Sequence, residues 1–555
     1  MRAVTGPISQ PLATPLAAVP GIRGLARLAV APALLYVFAA GVYAWAAAQV
    51  TFAANEGSAY YVAVARNLVN GRGLVTDALW SYATPPLVVP RPAFELWQPL
   101  ASFVAAAPMT VLGPTLGAAQ LGMALIGGLL APLAWLVARD AATAIGADAR
   151  RSAILAAGSG AVVALAGPLV LAVSLPDSTI PFAVAGVVCA WLVARSLAAT
   201  PGQRTGRWFV LGLALGVCWL ARHEALWLAA TAIALGVAMR TLNVRALGAA
   251  VLGGLVVSGP WMLRNLMVFG TPLPGQALDN ALLTSNEQVF AYAEQPSLGS
   301  FLAQGSEVLI GNVLAGAWHN AINVLLVPAA PLFLAGALGG AVLLRRQPSL
   351  RRSTLGVLLL TGLAIYGVTS TLFPVASLWG TFEHAAGPLV VGLAVAAVIG
   401  VDRAVQAVGR RRRWQHSNGW VAPLALAALS LPLTLLLLAG LSAEARAQAD
   451  RYDRLATALR SMPALTQDGR PIVTDHPVWL SGAIGQPAIA LPAEPPASVG
   501  ELAARLGARL LVVIDERGPY PAAIRSTAGA ACFAEQAVAA LPSGSVVASV
   551  REECR

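Results

Sequence analysis

Long apolar stretches separated by short polar ones make up most of this chain. A helix needs about 20 apolar residues to cross the hydrocarbon core of a bilayer, and runs of about that length recur up to residue 441. The pattern predicts a polytopic α-helical membrane protein with about 11 spans. The predicted spans are residues 28–49, 117–138, 152–173, 179–197, 208–221, 224–239, 246–263, 322–344, 353–372, 385–402 and 420–441.

Two long polar segments interrupt the predicted transmembrane domain, residues 23–441. The first, 50–116, contains a stretch at 98–113 that is too short and too proline-bounded to span, so we expect a helix lying at the surface. The second, 264–320, contains an amphipathic helix near 299–318. Residues 1–22 are rich in proline and alanine and lack an apolar core, which predicts a disordered N-terminus and no cleavable signal peptide.

After residue 441 the pattern changes to short strands that alternate with helices. Strands are predicted at 471–474, 488–491, 510–514 and 546–550, and helices at 499–506 and 531–541. This alternation predicts a small, separate α/β domain over residues 442–555. Cys532 and Cys554 both lie in it, and their spacing alone leaves open whether they pair.

Charge adds an orientation to this picture. All 36 basic residues are arginine, and 20 of them, Arg2 and six clusters, fall on alternate sides of successive apolar segments. The positive-inside rule places these clusters in the cytoplasm, so we expect a multi-pass protein of the cell membrane with a cytoplasmic N-terminus and an external C-terminal domain. The net charge of +11 is therefore a topology signal. It predicts contact with anionic membrane lipids and does not indicate a nucleic-acid partner.

Glu56 is the first candidate for chemistry. It follows the first span closely, and Tyr60 and Tyr61 lie on the same helical face. A carboxylate in a cleft beside a membrane suits general-base catalysis, because partial burial raises the pKa of a carboxyl group towards working pH. The alternative is a solvated acid that caps the following helix. Asp77 and Glu95 are weaker candidates in the same loop.

Arg222-His223-Glu224 separates two short apolar segments. The segment 208–221 would be about 21 Å long as a helix, whereas the apolar slab is about 30 Å thick. A charge in mid-membrane costs roughly 2.5–3.5 kcal/mol. These residues therefore predict a recessed cavity that is open to the outside. The alternative is a turn in which Arg222 and Glu224 reach the interface.

Three more polar residues lie at predicted outer ends of spans. Asp177 either caps the helix that begins near 179 or serves as a second catalytic carboxylate, and the two roles are compatible. Arg264 either binds a phosphate through its planar guanidinium or anchors a helix end. His384, next to Glu383, either lines the cavity predicted beside Arg222 or has a structural role.

These residues, in this order, resemble the GT-C class of membrane glycosyltransferases, in the bacterial branch related to the aminoarabinose and protein-mannosyl transferases. The resemblance covers most of residues 28–402. It rests on the acidic first loop and on the segments 65–68, 71–74, 176–177, 212–216, 222–225, 260–265 and 269–272.

The resemblance implies a sugar donor on a polyprenyl phosphate and an active site on the exported face. Glu56 would deprotonate an acceptor hydroxyl, which attacks the anomeric carbon with inversion. Arg264, with Arg222, would hold the leaving phosphate. The acceptor would be an exported glycan, lipid or protein. The predicted substrate-binding residues are Arg264, Arg222, Glu224, His223, Tyr60, Tyr61, Arg66 and His384.

The chain departs from the pattern of many relatives at two places. An acidic pair is replaced by Asn55-Glu56, and an Arg-Tyr pair by Glu383-His384. We therefore assign no metal ligand and no certain cofactor, and the need for a divalent cation is left open. A second class of function is a transporter or a scaffold of a cell-envelope complex. A transporter should show broken helices in both halves, and the sequence indicates one broken pair, around residue 222.

Overall fold

The computed structural model describes residues 22–275, 279–414, 418–462, 469–515 and 520–554. The predicted disordered N-terminus lies outside the described residues, apart from Ile22. The helices up to residue 269 are α1 Ile22–Ala47, α2 Glu56–Val69, α3 Leu100–Leu112, α4 Leu116–Gly127, α5 Leu130–Ala144, α6 Ala149–Ala164, α7 Gly167–Ser174, α8 Thr179–Leu197, α9 Arg204–Ala221, α10 Ala225–Ala238 and α11 Val244–Phe269.

The second half of the membrane region continues this all-helical arrangement. Its helices are α12 Leu298–Ala303, α13 Gly305–His319, α14 Val327–Arg346, α15 Thr354–Leu372, α16 Pro374–Leu378, α17 Thr381–Ala385, α18 Gly387–Arg411 and α19 Val421–Arg460. A π-helical turn, Asn320–Leu326, joins α13 to α14. The helix predicted at 299–318 is divided between α12 and α13. From Gly305 onwards it forms one 42-residue apolar segment, Gly305–Arg346, together with the span predicted at 322–344.

Within the described residues, eight helical segments are long and apolar enough to cross a membrane, or nine if the bent pair α6 and α7 forms one span. The chain is a multi-pass membrane protein, as predicted. The two short predicted segments around residue 222 are helices α9 and α10. These two helices are not among the nine segments, so the predicted number of 11 spans stays a prediction.

Glycines allow α9 and α11 to pack closely. A Cβ atom at Gly212 would lie 2.1 Å from the carbonyl oxygen of Ala250, and one at Gly253 would lie 2.3 Å from that of Phe209. Small residues let helix backbones approach each other in membranes, where packing replaces the hydrophobic effect as the driving force. This contact fixes the helix that ends at Arg222 against the helix that carries Arg264.

The C-terminal region contains a six-stranded mixed sheet in the order β2-β5-β4-β6-β8-β7. The inner strands β5, β4 and β6 are parallel, and β8 and β7 are antiparallel. The strands of the protein are β1 Val75–Thr76, β2 Ala78–Leu79, β3 Arg91–Pro92, β4 Ile472–Thr474, β5 Ala488–Ala490, β6 Leu510–Val513, β7 Phe533–Glu535 and β8 Val546–Val550. The helices of this region are α20 Pro477–Ile484, α21 Pro496–Leu506, α22 Tyr520–Arg525 and α23 Thr527–Cys532.

The α/β character of this region and its four predicted strands are confirmed. The helix predicted at 531–541 is wrong, because strand β7 occupies part of it and pairs with β8. Cys532, at the end of α23, forms a disulfide with Cys554. The predicted boundary at residue 442 lies inside α19, which runs unbroken through 40 residues.

Strand β2 comes from the first polar loop, not from the C-terminal region. Ala78 pairs with Ala488 in parallel register, so residues 70–99 supply one edge of the C-terminal sheet. Two further contacts join the same parts. Trp479 Nε1 donates to the carbonyl oxygen of Ala53 at 2.8 Å, and Phe52 stacks on Tyr452 with ring centroids 5.7 Å apart. The first loop and the C-terminal region therefore form one continuous packed unit.

Candidate active site

Glu56 is the first residue of α2, and its neighbour Asn55 caps that helix. The Asn55 side chain accepts a hydrogen bond from the backbone N–H of Ser58 at 2.6 Å. Asparagine is among the preferred residues at this position because its oxygen satisfies an N–H group that the helix leaves unpaired. The alternative that Glu56 is a solvated capping acid is wrong. Its side chain is 11% exposed and points away from the cap.

Two hydrogen-bond donors and a nearby histidine surround the Glu56 carboxylate. Oε1 accepts from the backbone N–H of Val478 at 3.0 Å. Oε2 accepts from Trp80 Nε1 at 3.4 Å and lies 3.6 Å from Nδ1 of His476. Val478 is in the first turn of α20, where unpaired backbone N–H groups favour a negative charge. The predicted base is therefore held jointly by the first loop and by the C-terminal region.

His476 and Asp475 follow strand β4 directly. Asp475 accepts from the backbone N–H groups of Ile514 and Asp515, and its carboxylate lies 4.0 Å from the other ring nitrogen of His476. Burial alone would lower the pKa of His476, but the hydrogen bond and charge of Glu56, followed by the charge of Asp475, raise it above its ordinary value. The imidazole thus lies between two carboxylates.

Asp177 is the centre of a second cluster. Its Oδ1 accepts from the backbone N–H of Thr179 at 2.7 Å, and its Oδ2 lies 3.3 Å from Nδ1 of His384. The same ring nitrogen lies 2.8 Å from Thr179 Oγ1. Asp177 therefore holds the turn before α8 and also contacts a predicted site residue. Burial would raise the pKa of Asp177, but His384 and the Thr179 hydrogen bonds hold it below its usual value.

Arg222 and Glu224 form a bidentate pair beside this cluster. Nε and Nη2 of Arg222 donate to the two carboxylate oxygens of Glu224 at 3.1 and 2.6 Å. Nη1 of Arg222 donates to Ser178 Oγ at 2.8 Å, next to Asp177 in the chain. The two side chains are 13% and 9% exposed, so the pair is packed inside the protein. His223, between them, contacts Gln98 and the ring of Trp219.

Arg264 projects from the last turns of α11 towards the first loop. Its Nη1 donates to the carbonyl oxygen of Ala93 at 2.9 Å and to Asn265 Oδ1 at 3.1 Å. Its guanidinium carbon lies 4.9 Å from the ring centroid of Trp261 and 5.2 Å from that of Phe269. Among the described residues no carboxylate lies within 4 Å of this guanidinium.

An aromatic cluster connects these groups. Tyr60 packs against Trp97 at 4.4 Å between centroids, and Trp97 packs against Trp80 at 4.8 Å. The Tyr60 hydroxyl accepts from the backbone N–H of Phe94 at 2.7 Å, and Tyr61 faces Arg222 and Ser178. Tyr60 and Tyr61 are both buried. The cluster links the Glu56 end of the site to the Arg222 end through the first loop.

Solved structures allow this arrangement to be placed among known folds. The chain is similar to ArnT from Cupriavidus metallidurans bound to undecaprenyl phosphate, with a TM-score of 0.52, 16% identity, and coverage of 94% of this chain and 98% of that one. The chain has the GT-C fold. The apo state of the same ArnT gives a TM-score of 0.49 at 16% identity, with coverage of 96% and 99%.

A further solved structure is the archaeal oligosaccharyltransferase AglB from Archaeoglobus fulgidus in complex with an inhibitory peptide and a dolichol-phosphate. It gives a TM-score of 0.46 at 11% identity, with coverage of 94% of this chain and 76% of that one. No protein-family model and no curated protein matches the sequence. The similarity to ArnT with undecaprenyl phosphate bound, at a TM-score of 0.52, confirms the predicted resemblance to GT-C proteins at the level of the fold.

One predicted site residue lies apart from the others on the GT-C fold. Arg66 is ten residues after Glu56, which corresponds to about 15 Å along α2. It is exposed, and its Nε donates to the carbonyl oxygen of Pro114 at 3.0 Å. Arg66 therefore ties α2 to the turn before α4 and is not part of the cluster around Glu56.

The weaker candidates of the first loop have separate partners. Asp77 forms a surface ion pair with Arg72 at 2.6 Å. Glu95 is 4% exposed and lies 3.5 Å from the fully buried Arg91, which also donates to the carbonyl oxygens of Ser81 and Thr84. Burial raises the pKa of Glu95. These two acids stabilise the loop that carries Trp80.

The described parts of the chain bring together no group of three or more His, Cys, Asp or Glu side chains suited to a metal ion.

A cavity of about 490 Å³ lies between α8 and α9. It is at the opposite end of α9 from Arg222, so it is not the recessed cavity predicted there, which stays a prediction. Its lining residues are Trp191, Leu192, Arg195, Ser196, Gly206, Arg207 and Val210.

The sequence interpretation missed His476 and Val478. They lie more than 400 positions after Glu56 along the chain, and no local pattern links segments so far apart. One signal was available. An acid and a histidine directly follow a buried strand, and the carboxyl ends of parallel strands are frequent sites of function.

Proposed function

We propose that this protein is an inverting glycosyltransferase that moves a sugar from a polyprenyl-phosphate-linked donor to an acceptor on the exported face of the membrane. One observation carries the proposal. Glu56, an acid, and Arg264, a cation with no ion-pair partner among the described residues, are both held to the first loop, through Trp80 and Ala93 respectively. A base and an anion-binding group on one loop are what this reaction requires.

In the proposed reaction Glu56 accepts the proton of the acceptor hydroxyl. The hydroxyl oxygen forms a bond to the anomeric carbon as the bond from that carbon to the phosphate oxygen breaks, which inverts the configuration. The leaving polyprenyl phosphate takes the bonding electron pair and gains negative charge. A positioned general base of this kind contributes typically about 10²–10⁴-fold to a rate.

Arg264 is suited to hold the phosphate that leaves. Its two hydrogen bonds within the protein both use Nη1. Nε and Nη2 have no hydrogen-bond partner among the described residues, and together they form the fork that binds phosphate oxygens in a bidentate manner. The rings of Trp261 and Phe269 keep the guanidinium plane in place. Arg222, in contrast, already uses its guanidinium on Glu224 and Ser178.

A solved structure with the same fold supports the choice of a polyprenyl phosphate as the carrier of the sugar. ArnT, which shares the fold, has been solved with undecaprenyl phosphate bound. A polyprenyl phosphate is therefore the carrier we propose here. We place the N-terminus in the cytoplasm and residues 442–555 outside, because the arginine clusters fall on alternate sides of the spans.

The test measures the transfer of label from a panel of radiolabelled polyprenyl-phosphate monosaccharides in membranes that contain the protein. The Glu56→Gln variant keeps the size of the side chain and removes the base, so we expect a loss of about 10²–10⁴-fold in initial rate. Asp77→Asn is the matched control in the same loop, because its surface ion pair is worth less than about 1 kcal/mol. Full activity of Glu56→Gln would rule out this mechanism.

A scaffold of a cell-envelope complex is the second candidate. It is favoured by the covering of Glu56 by Trp80 and by the C-terminal region, which leaves the side chain 11% exposed. A scaffold needs no accessible base. If the wild-type protein transfers sugar from none of the donors, the scaffold replaces the enzyme as the better proposal.

A further inference from the structure

We propose that His476 is a positioning residue for Glu56, so that the C-terminal region completes the active site instead of only covering it. This inference rests on the proposed glycosyltransferase function. It assigns a role to a residue that neither the sequence pattern nor the resemblance to GT-C proteins indicated.

The Glu56 carboxylate is held by neighbours from both the first loop and the C-terminal region. A carboxylate has about four positions at which it accepts hydrogen bonds. Val478 N–H donates to Oε1 at 3.0 Å and Trp80 Nε1 donates to Oε2 at 3.4 Å, while Nδ1 of His476 lies 3.6 Å from Oε2, beyond hydrogen-bond distance. The second acceptor position of Oε2 is thus within reach of His476, and that of Oε1 remains for the acceptor hydroxyl. The two hydrogen bonds hold the carboxylate, and the histidine stands ready as a third donor.

His476 is held in place by contacts on both of its sides. Asp475 and His476 lie between β4 and α20, and the Asp475 carboxylate is anchored by the backbone N–H groups at the end of β6. The imidazole packs against Trp479 with centroids 5.1 Å apart, and Trp479 donates to Ala53, three residues before Glu56. The histidine is thus fixed from both sides of the junction between the two regions.

The contact between His476 and Glu56 is close but longer than a hydrogen bond. Nδ1 of His476 lies 3.6 Å from Glu56 Oε2, and among the described residues this nitrogen has no closer hydrogen-bond partner. The distance is longer than a strong hydrogen bond. Catalytic hydrogen bonds are often long in a resting site and shorten when substrate binds. We therefore expect the distance between Nδ1 of His476 and Oε2 of Glu56 to shorten when the acceptor hydroxyl binds at Oε1.

The experiment compares His476→Ala and His476→Asn with the wild-type protein in the labelled polyprenyl-phosphate sugar assay. We expect His476→Ala to lower kcat about 10–100-fold while KM for the lipid-linked donor stays within about twofold, because Glu56 loses orientation but the phosphate site is untouched. The amide nitrogen of asparagine can occupy the place of Nδ1, so His476→Asn should recover most of kcat. His319→Ala, at a histidine on α13, serves as the control and should keep wild-type kinetics.

The outcomes separate the two proposals. If the wild-type protein is inactive with every donor, the glycosyltransferase function fails, and this inference fails with it. If the wild-type protein is active and His476→Ala keeps its kcat, only the positioning role is overturned. If Asn is no better than Ala, or if both variants lose activity together with a lowered unfolding temperature, the histidine acts through folding and the positioning role is again overturned.

Discussion

Two acid–histidine pairs lie at the ends of the same site, and they differ in what surrounds them. Asp177 and His384 are 3.3 Å apart, and both side chains are also bonded to Thr179. Glu56 and His476 are 3.6 Å apart and belong to parts of the chain separated by the whole membrane region. The first pair is satisfied by its own neighbours. The second forms where two regions meet and keeps one acceptor position open.

The comparison shows which carboxylate is available for chemistry. Asp177 is 4% exposed and is used to hold a turn and a histidine, so a proton taken up by it would disrupt several contacts at once. The Glu56 side chain is more exposed than that of Asp177, and Asn55 caps its helix. The Glu56 carboxylate is therefore not needed to cap the helix, and taking up a proton would not interrupt that role. We therefore give the reactive role to Glu56 and a supporting electrostatic role to Asp177.

The largest expected effect comes from breaking the charge pair beside Asp177. Glu224→Gln leaves the buried guanidinium of Arg222 with Ser178 and Thr381 as its partners. Removing one member of a buried ion pair costs about 3–5 kcal/mol, because the other charge stays desolvated. We expect a clearly lower thermal unfolding midpoint in detergent.

The exposed pair Arg525–Glu535 offers the matched control for that change. Both of its side chains are 51% exposed, so Glu535→Gln should cost at most about 1 kcal/mol. Equal midpoints for Glu224→Gln and Glu535→Gln would contradict the view that the Asp177 end of the site depends on buried charge.

An intermediate effect follows from the titration of the Asp177 pair. Burial would lower the pKa of His384, but Asp177 raises it, with a smaller opposing contribution from Arg222 and a supporting one from Glu383. The stabilisation from His384 is thus complete below about pH 6.5 and is lost as pH rises through its raised pKa. The pKa of Asp177 is lowered, so the stabilisation that it contributes is complete above about pH 4 and is lost as the pH falls through its lowered pKa.

The measurement compares His384→Asn with the wild-type protein at pH 6 and pH 9.5. A hydrogen bond to a charged group contributes about 1.5–3 kcal/mol, so the variant should be less stable by about that amount at pH 6 and by less at pH 9.5. If the difference in unfolding free energy between His384→Asn and the wild-type protein does not decrease as the pH rises, the Asp177–His384 pair is not charged.

The helical part of this fold is readable from the sequence because it repeats one physical requirement. Each span must be apolar over about 20 residues, and this leaves a pattern that needs no partner to recognise. The strands at 472–474, 488–490, 510–513 and 546–550 are also short apolar runs bounded by turn residues, and they were predicted. The polar group at Arg222 was found because a charge between two short apolar segments requires an explanation.

The contacts that build the Glu56 end of the site leave no such pattern. Strand β2 is two residues long, so no alternation can mark it. Helix α19 continues past residue 442 because the residues after it are good helix formers, although the apolar run has ended. The approach of His476 to Glu56 depends on how these elements place two distant segments. Only tertiary structure determines that contact.

The smallest expected effect concerns Asn55, where the resemblance to GT-C proteins predicts an acid. Asn55→Asp should change stability by no more than about 0.5 kcal/mol, since Asn and Asp are about equally good caps, whereas Asn55→Ala should cost about 1 kcal/mol. Thermal unfolding midpoints check both values. If Asn55 serves as a cap and Glu56 alone as the base, Asn55→Asp should also keep the transfer rate within a few-fold. A large loss for Asp without loss of stability would show that a second negative charge disturbs Glu56, and that the neutral cap belongs to the mechanism.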